Sequence, residues 1–301
     1  MTPHLLNLKT TPSNEPRHIE FTKTMQSETL VYYDISSPIQ PRSYAPNPSK
    51  GRLALSFKSV PFKTTFVDLL DIGKVRQSLN CPATRKFDDG SDFYTLPMLA
   101  VPSQNKVIGD SFEIANYLED TYPDSGGCLF PKGSKRTVLD YESPNKDSVF
   151  HVPITLNLGA KHADYAHFNT HVDTTFTSHV QLVSEYMPFN PETAEAVKAS
   201  MAKRAHLPSW DVVYVHGEAR EKLLAAFKAN TKSLGELFEI NEGGPYLEGK
   251  EANYADLIVG GWVNMMAECM PAEEWKDFKT WHGGVFGRLH DALKESYYIC
   301  E

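Results

Sequence analysis

Residues 96–118 read Leu-Pro-Met-Leu-Ala-Val-Pro-Ser-Gln-Asn-Lys-Val-Ile-Gly-Asp-Ser-Phe-Glu-Ile-Ala-Asn-Tyr-Leu, and the fold turns on how this stretch is divided. Pro97–Val101 is an apolar strand and Lys106–Ile108 a second. The short connection Pro102-Ser103-Gln104-Asn105 makes them an antiparallel hairpin. A helix follows at once, because Asp110 is a good N-cap and Glu113 stands three residues on, the spacing of a capping box, ahead of Ile114, Tyr117 and Leu118. Pro123 marks its stop.

Upstream, the β-branched and aromatic run Leu30-Val31-Tyr32-Tyr33-Asp34 ends in the Ser/Pro-rich loop Ser36–Pro48, as a strand should. Ser49–Phe57 places Leu53, Ala54 and Phe57 on one helical face, with Pro48 and Ser49 marking the start. Pro61–Leu69 alternates in part (Phe62, Thr64, Phe66, Asp68) and, following a helix, reads as a strand parallel to the first. Residues 71–95 are polar and irregular, with one helical turn near Ile72–Leu79. The order β-α-β, irregular segment, β-β-α predicts an α/β thioredoxin-like N-terminal domain over residues 29–122.

Downstream, 123–148 is rich in Pro, Gly, Ser, Lys and Asp and reads as an interdomain linker. Residues 149–301 predict an all-α C-terminal domain. Its helices are expected at 160–186 and 191–205, at 218–240 with Leu223, Leu224, Phe227, Leu234, Leu237 and Phe238 in helical spacing, and at 253–270 and 272–294. Only Val212–Val215 has a strand-like pattern. Residues 1–28 predict a flexible tail lacking the apolar core of a secretory signal.

Composition narrows the function classes. A chain of 301 residues with 41% hydrophobic and 23% charged residues buries substantial cores and has ordinary globular usage. Its formal net charge of -8 argues against a nucleic-acid partner, which wants clustered cations. Cys81, Cys128, Cys269 and Cys300 are widely spaced without a CxxC pair, which suits free thiols in a reducing, cytoplasmic setting. The longest apolar run, Leu257–Met270, carries Gly260, Gly261, Asn264 and Glu268 and falls short of a bilayer span. No GxGxxG, P-loop or GxSxG signature is present.

Four local features occur in order: the strand-loop-helix Tyr33–Arg52, Leu96-Pro97 before a strand, the turn Gly109-Asp110-Ser111, and Asn253-Tyr254-Ala255-Asp256 opening a late helix. Together they resemble the glutathione transferases over about residues 29–295. The similarity is to fungal and bacterial branches related to β-etherase-like transferases, through Gly244-Pro245-Tyr246-Leu247-Glu248-Gly249 and Tyr254-Ala255-Asp256. The resemblance implies glutathione as cofactor and assigns Leu96, Pro97, Asp110, Ser111 and Lys86 to binding it. A cis Leu96–Pro97 bond would present Leu96 to the cysteinyl backbone. The helix N-terminus at Asp110-Ser111 would take the γ-glutamyl carboxylate, and Lys86 would lie near the glycyl end. Each has a plainer reading: an edge-strand proline, a helix cap, a surface lysine. Asn253 and Asp256 belong to folding.

A transferase also needs a group near the N-terminus of the first helix that favours thiolate over thiol. Where related sequences read Ser-Pro-Asn, this one has Ala45-Pro46-Asn47. Asn47 or Ser49 is therefore the catalytic candidate, ahead of Ser43 or Tyr44. Lys50 and Arg52 read as solvated surface. Tyr44, His167 and His171 are expected to line a substrate pocket between the domains. His167 and His171 share a helix face, yet no Glu lies inside the pair and no Cys nearby, so no metal is expected. The expected function is attack by the glutathione thiolate on a small hydrophobic electrophile in specialised metabolism, by a homodimer. The alternatives are an isomerase, lyase or ether-cleaving enzyme on a natural-product intermediate, with or without glutathione, and a non-catalytic binding or regulatory protein of the same fold.

Overall fold

A computed structural model describes residues 29–38, 43–132, 139–150, 152, 154–157, 159–240 and 243–297. The tail 1–28 and Cys300 lie outside the described residues.

The N-terminal half contains β1 (Leu30–Ile35), α1 (Pro46–Phe57), β2 (Phe62–Val67), α2 (Ile72–Ser78), β3 (Arg85–Lys86), β4 (Asp92–Phe93), β5 (Met98–Val101), β6 (Lys106–Ile108) and α3 (Ser111–Thr121). Four strands form one sheet in the order β2-β1-β5-β6. β1 and β2 are parallel with Leu30 opposite Phe62, and β5 is antiparallel to both β1 and β6. The period-2 alternation of β1 buries Leu30, Tyr32 and Asp34 and leaves Val31, Tyr33 and Ile35 half-buried. Leu30 and Tyr32 join Leu53, Ala54, Phe112 and Ile114 in the main core. On the opposite face Val67, Ile72, Cys81, Leu96 and Met98 form a smaller cluster. β3 and β4 make a separate hairpin inside the stretch expected to be irregular.

The first helix begins at Pro46 rather than Ser49. Proline is pre-set for the first helical turn and has no N–H to leave unpaired there, so neither Pro46 nor Pro48 delays the start.

The C-terminal half is helical: α4 (Ala163–Thr177), α5 (Gln181–Ser184), α6 (Ala194–Arg204), α7 (Gly217–Asn230), α8 (Lys232–Leu237), α9 (Tyr254–Cys269), α10 (Ala272–Phe278) and α11 (Trp281–Tyr297). Three expected long helices are broken. The span 160–186 divides into α4 and α5, with Ser178 Oγ donating back to Thr174 O at 2.9 Å. The span 218–240 divides at Thr231, whose backbone leaves the helical region at φ -89° and ψ 0° and whose hydroxyl donates to Phe227 O at 2.8 Å. The span 272–294 divides before Trp281, and His282, Gly283 and Gly284 take positive φ of 50°, 68° and 81°. The strand-like Val212–Val215 lies instead at a 3-10 turn, Trp210–Val213.

Helix α9 is buried almost throughout, which is why it reads as apolar all round. It packs directly on α1. A Cβ at Gly261 would stand 2.7 Å from Pro46 O and 2.8 Å from Lys50 Cγ, so only glycine allows this approach. Its N-terminus carries a full capping box: Asn253 Oδ1 accepts from Ala255 N, and Asp256 Oδ2 from Asn253 N at 2.9 Å. Asp256 Oδ1 also accepts from Leu247 N at 2.7 Å, tying down the 244–249 loop. Burial pushes the Asp256 carboxyl up to about 7. Among the described residues no helix is long and apolar enough to cross a membrane.

Candidate functional site

The first turn of α1 has an unusual donor supply. Its N-cap Ala45 makes no side-chain cap bond. Pro46 and Pro48 have no N–H, and Ser49 N already donates to Ala45 O at 3.0 Å. Within that turn Asn47 supplies both a backbone N–H and a side-chain amide, and it is half-exposed.

Ser49 does not share this position. It is fully buried, accepts from Asn264 Nδ2 at 3.0 Å and donates to Ser43 Oγ at 3.4 Å. Ser43 in turn donates to Asp34 Oδ1 at 3.2 Å. The serine expected to act on the thiol therefore joins the two domains instead. Tyr44 is likewise a core residue, 5% exposed, and not a pocket wall; burial raises its phenol above the ordinary tyrosine range.

Lys50 and Arg52 are buried too, contrary to their surface reading. Arg52 pairs with Asp34 at 3.0 Å. Lys50 Nζ reaches Asp173 Oδ1 at 2.5 Å and Asn169 Oδ1 at 2.8 Å on α4, and Trp262 Nε1 on α9 donates to the same Asp173 oxygen at 2.6 Å. Burial draws the Lys50 ammonium below the usual lysine value, with Asp173 opposing that drift.

The N-terminus of α3 lies beside this cluster. Asp110 Oδ1 accepts from Phe112 N at 2.8 Å and Glu113 N at 3.2 Å. Burial raises its carboxyl, while those two amides and the charges of Arg85 and Lys50 pull it down. Ser111 is 4% exposed, and its carbonyl accepts from Tyr254 Oη of α9 at 3.1 Å. The Leu96–Pro97 peptide is cis, as the resemblance implied. The residues present suit glutathione by donor chemistry: half-exposed Asn47 on α1 and the capped N-terminus of α3 at Asp110-Ser111 belong to two elements in contact.

Two arginines went unnoticed in the sequence. Arg76 of α2, fully buried, donates to Thr95 O at 2.5 Å, Gly109 O at 3.0 Å and Pro82 O at 2.6 Å. One guanidinium thus joins the loop before Leu96-Pro97 to the turn before Asp110-Ser111. The available signal was its position four residues after Ile72, on the helix's inward face. The second is Arg85. Lys86, expected at the glycyl end, is exposed and pairs with Asp92 across the β3–β4 hairpin. Its neighbour Arg85 is half-buried over the Phe93 ring at 5.7 Å. Burial lowers the Arg85 guanidinium, and the Asp173 and Asp110 carboxylates raise it. Adjacent strand residues point to opposite faces, so the expectation missed by one residue the cation that faces the cleft charges.

His167 and His171 do not line the junction of the domains. On α4 they stand two residues from Asn169 and Asp173, hence roughly 200° around the helix from the face that meets Lys50. Ser143 N, from the segment before α4, donates to His171 Nδ1 at 2.9 Å. Glu142 completes a cluster whose ligand-type atoms all lie within 4.8 Å of one another.

The comparisons agree with this architecture. A family model described as the glutathione S-transferase N-terminal domain matches residues 44–121, and one described as the C-terminal domain matches residues 163–297. The glutathione S-transferase-like protein ustS of Aspergillus flavus is 26% identical over 279 residues, covering 90% of this chain and 91% of that one. A glutathione S-transferase of Ceriporiopsis subvermispora, solved in complex with glutathione, superposes with a TM-score of 0.72 at 25% identity, over 90% of this chain and 99% of its own. The β-etherase LigF of Sphingobium is similar in fold alone, with a TM-score of 0.52 and 16% identity over 88% of this chain and 95% of its own. With both halves matched in order, the chain belongs to the glutathione S-transferase superfamily.

Proposed function

We propose that the protein binds glutathione between α1 and α3 and directs its thiolate at a small hydrophobic electrophile held against the helical domain, in specialised metabolism. The observation that carries this reading is the pairing of two helix N-termini at the domain junction, one offering Asn47 and the other capped by Asp110 and carrying Ser111. The γ-glutamyl carboxylate docks at the hydroxyl and backbone N–H of Ser111, the α3 residue whose amide the Asp110 cap does not take, beside Leu96-Pro97. Arg85 takes the glycyl carboxylate in place of Lys86. Asn47 donates to the sulfur, and the dipole end of α1 favours the thiolate. Holding both reactants in one cleft supplies proximity, and the thiol is the nucleophile, so the chain needs only to orient and ionise it.

A second reading, isomerisation, elimination or ether cleavage with glutathione, is favoured by Ala45, which puts no hydroxyl at the cap of α1. A substrate with its own reactivity needs less thiol activation. The protein is proposed to act in the cytoplasm as a homodimer, which light scattering after size exclusion tests directly.

Calorimetric titration with reduced glutathione tests the shared premise. Binding that Ser111→Ala weakens, together with Asn47→Ala retaining affinity but raising the pH at which bound thiol ionises, supports the first reading. Loss of one hydrogen bond to an anion, about 1.5–3 kcal/mol, corresponds to one to two pH units. Absence of glutathione binding by the intact protein refutes both glutathione-dependent readings and leaves a glutathione-free isomerase or a binding or regulatory protein.

A further inference from the structure

The His167, His171 and Glu142 cluster lies outside the glutathione site and is unused by the proposed chemistry. We propose that these three residues form a binding site for a borderline divalent cation, Zn2+ in the first instance, bridging the interdomain connector and α4. Two imidazoles one helical turn apart and one carboxylate match the ligand preferences of such an ion. Their rings sit 4.3 Å apart, centroid to centroid, and the three ligand-type atoms already lie within 4.8 Å of one another. Glu142 comes from a distant part of the chain. The connector holds it there: Tyr141 Oη and Thr175 Oγ1 share a hydrogen bond of 2.7 Å, and Thr175 Oγ1 donates to Ser143 Oγ at 2.8 Å. The sequence shows two histidines without a third ligand because this one is supplied by the fold.

The site's chemistry sets its strength. A neutral imidazole offers one lone pair, and that of His171 is held at Nδ1 by the Ser143 amide. The ion takes His171 either by displacing that amide or by shifting the ring proton from Nε2 to Nδ1; both release the Ser143 amide. Lys146 Nζ, 2.8 Å from Glu142 Oε2, competes for the carboxylate but is an exposed pair of small worth. Glu142 and His167 are exposed, leaving the remaining coordination positions to water. The result is an open three-ligand site, weaker than a closed structural zinc site.

The test is titration of the full chain with Zn2+ alone at neutral pH, beside His167→Ala, Glu142→Gln and Cys128→Ser. One equivalent bound in wild type and in Cys128→Ser, weakened at least tenfold in His167→Ala and severalfold in Glu142→Gln, is the expected result. Because His167 and Glu142 are exposed, these variants fold, and circular dichroism checks it. Cobalt substitution gives an independent readout, with visible d–d bands and no thiolate charge-transfer band. Absence of wild-type binding, unchanged binding in His167→Ala, or a thiolate band that vanishes in Cys128→Ser overturns the proposal.

Discussion

Lys50 and Asp173 make the sharpest energetic prediction, because both are buried and each comes from a different domain. Lys50→Met removes the ammonium and leaves the Asp173 carboxylate in the interior with Trp262 Nε1 at 2.6 Å and Asn169 Nδ2 at 3.4 Å. Breaking a buried pair from one side costs about 3–5 kcal/mol. Asp173→Asn keeps an acceptor for Trp262 and leaves the ammonium on amide oxygens, a milder loss of about 2 kcal/mol. In Lys50→Met/Asp173→Asn no buried charge remains, so the double variant should lose only about 2 kcal/mol. The singles therefore overshoot the double by about 3–5 kcal/mol, the coupling that a double-mutant cycle isolates. Urea unfolding followed by tryptophan emission measures it, since Trp262 itself sits on Asp173. If the double variant loses the sum of the singles to within about 0.5 kcal/mol, the range expected for independent sites, the pair does not bind the domains together and the reasoning fails.

Arg76→Met should destabilise the chain by about 3 kcal/mol, orphaning the carbonyls of Thr95, Pro82 and Gly109, and should weaken glutathione binding about tenfold, with Arg76→Lys intermediate; an unchanged calorimetric Kd in Arg76→Met contradicts the positioning role. Asp256→Ala strips acceptors from Leu247 N and Asn253 N, a loss of about 2–5 kcal/mol, and a urea-derived loss under about 1 kcal/mol would show that the box is not needed. His179 is buried, its Nδ1 donating to Thr175 O at 2.8 Å and its Nε2 accepting from Asn230 at 3.2 Å. Burial lowers its folded pKa from the ordinary 6.5, so the unfolded chain takes up a proton that the folded chain refuses. Its contribution is present above about pH 6.5 and lost as pH falls below it. His179→Gln should flatten the acid limb of a stability-against-pH curve by up to about 1.4 kcal/mol per pH unit, and an unaltered slope speaks against this.

The sheet was legible in the sequence because its strands obey local rules. The hairpin over residues 97–108 needed only two apolar runs and a short turn, and Asp110 with Glu113 announced α3. The helical domain was legible only in outline. Apolar spacing runs through Thr231 and through Thr280 without interruption, while the breaks lie in the backbone: Thr231 leaves the helical region at φ -89° and ψ 0°, and His282–Gly284 are left-handed. The site was harder still. Ser49 looked like a group for the thiol and Lys50 and Arg52 like a polar helix surface, and the burial of all three follows from α4 and α9 covering α1, a tertiary fact no window of α1 contains. Likewise Arg85 and Lys86 differ only in which face of a two-residue strand they occupy.

This covering of α1 also bears on how the thiol is activated. Lys50 lies one turn beyond Asn47, so the residue that would meet the sulfur and the residue that grips the helical domain stand three residues apart on one helix. Domain two approaches this turn from behind: Gly261 lets α9 close on Pro46 O, Asn264 reaches Ser43 O at 2.6 Å, and Asp173 holds Lys50. With Pro46 and Pro48 removing backbone donors, orientation of the remaining Asn47 groups depends on that grip. On the proposed function, the helical domain would set the thiol side of the cleft as well as the electrophile side. It follows that Lys50→Met, a change at a side chain buried against Asp173, should raise the ionisation pH of bound glutathione in the same direction as Asn47→Ala, whereas a surface change such as Lys222→Met on α7 should leave it unmoved.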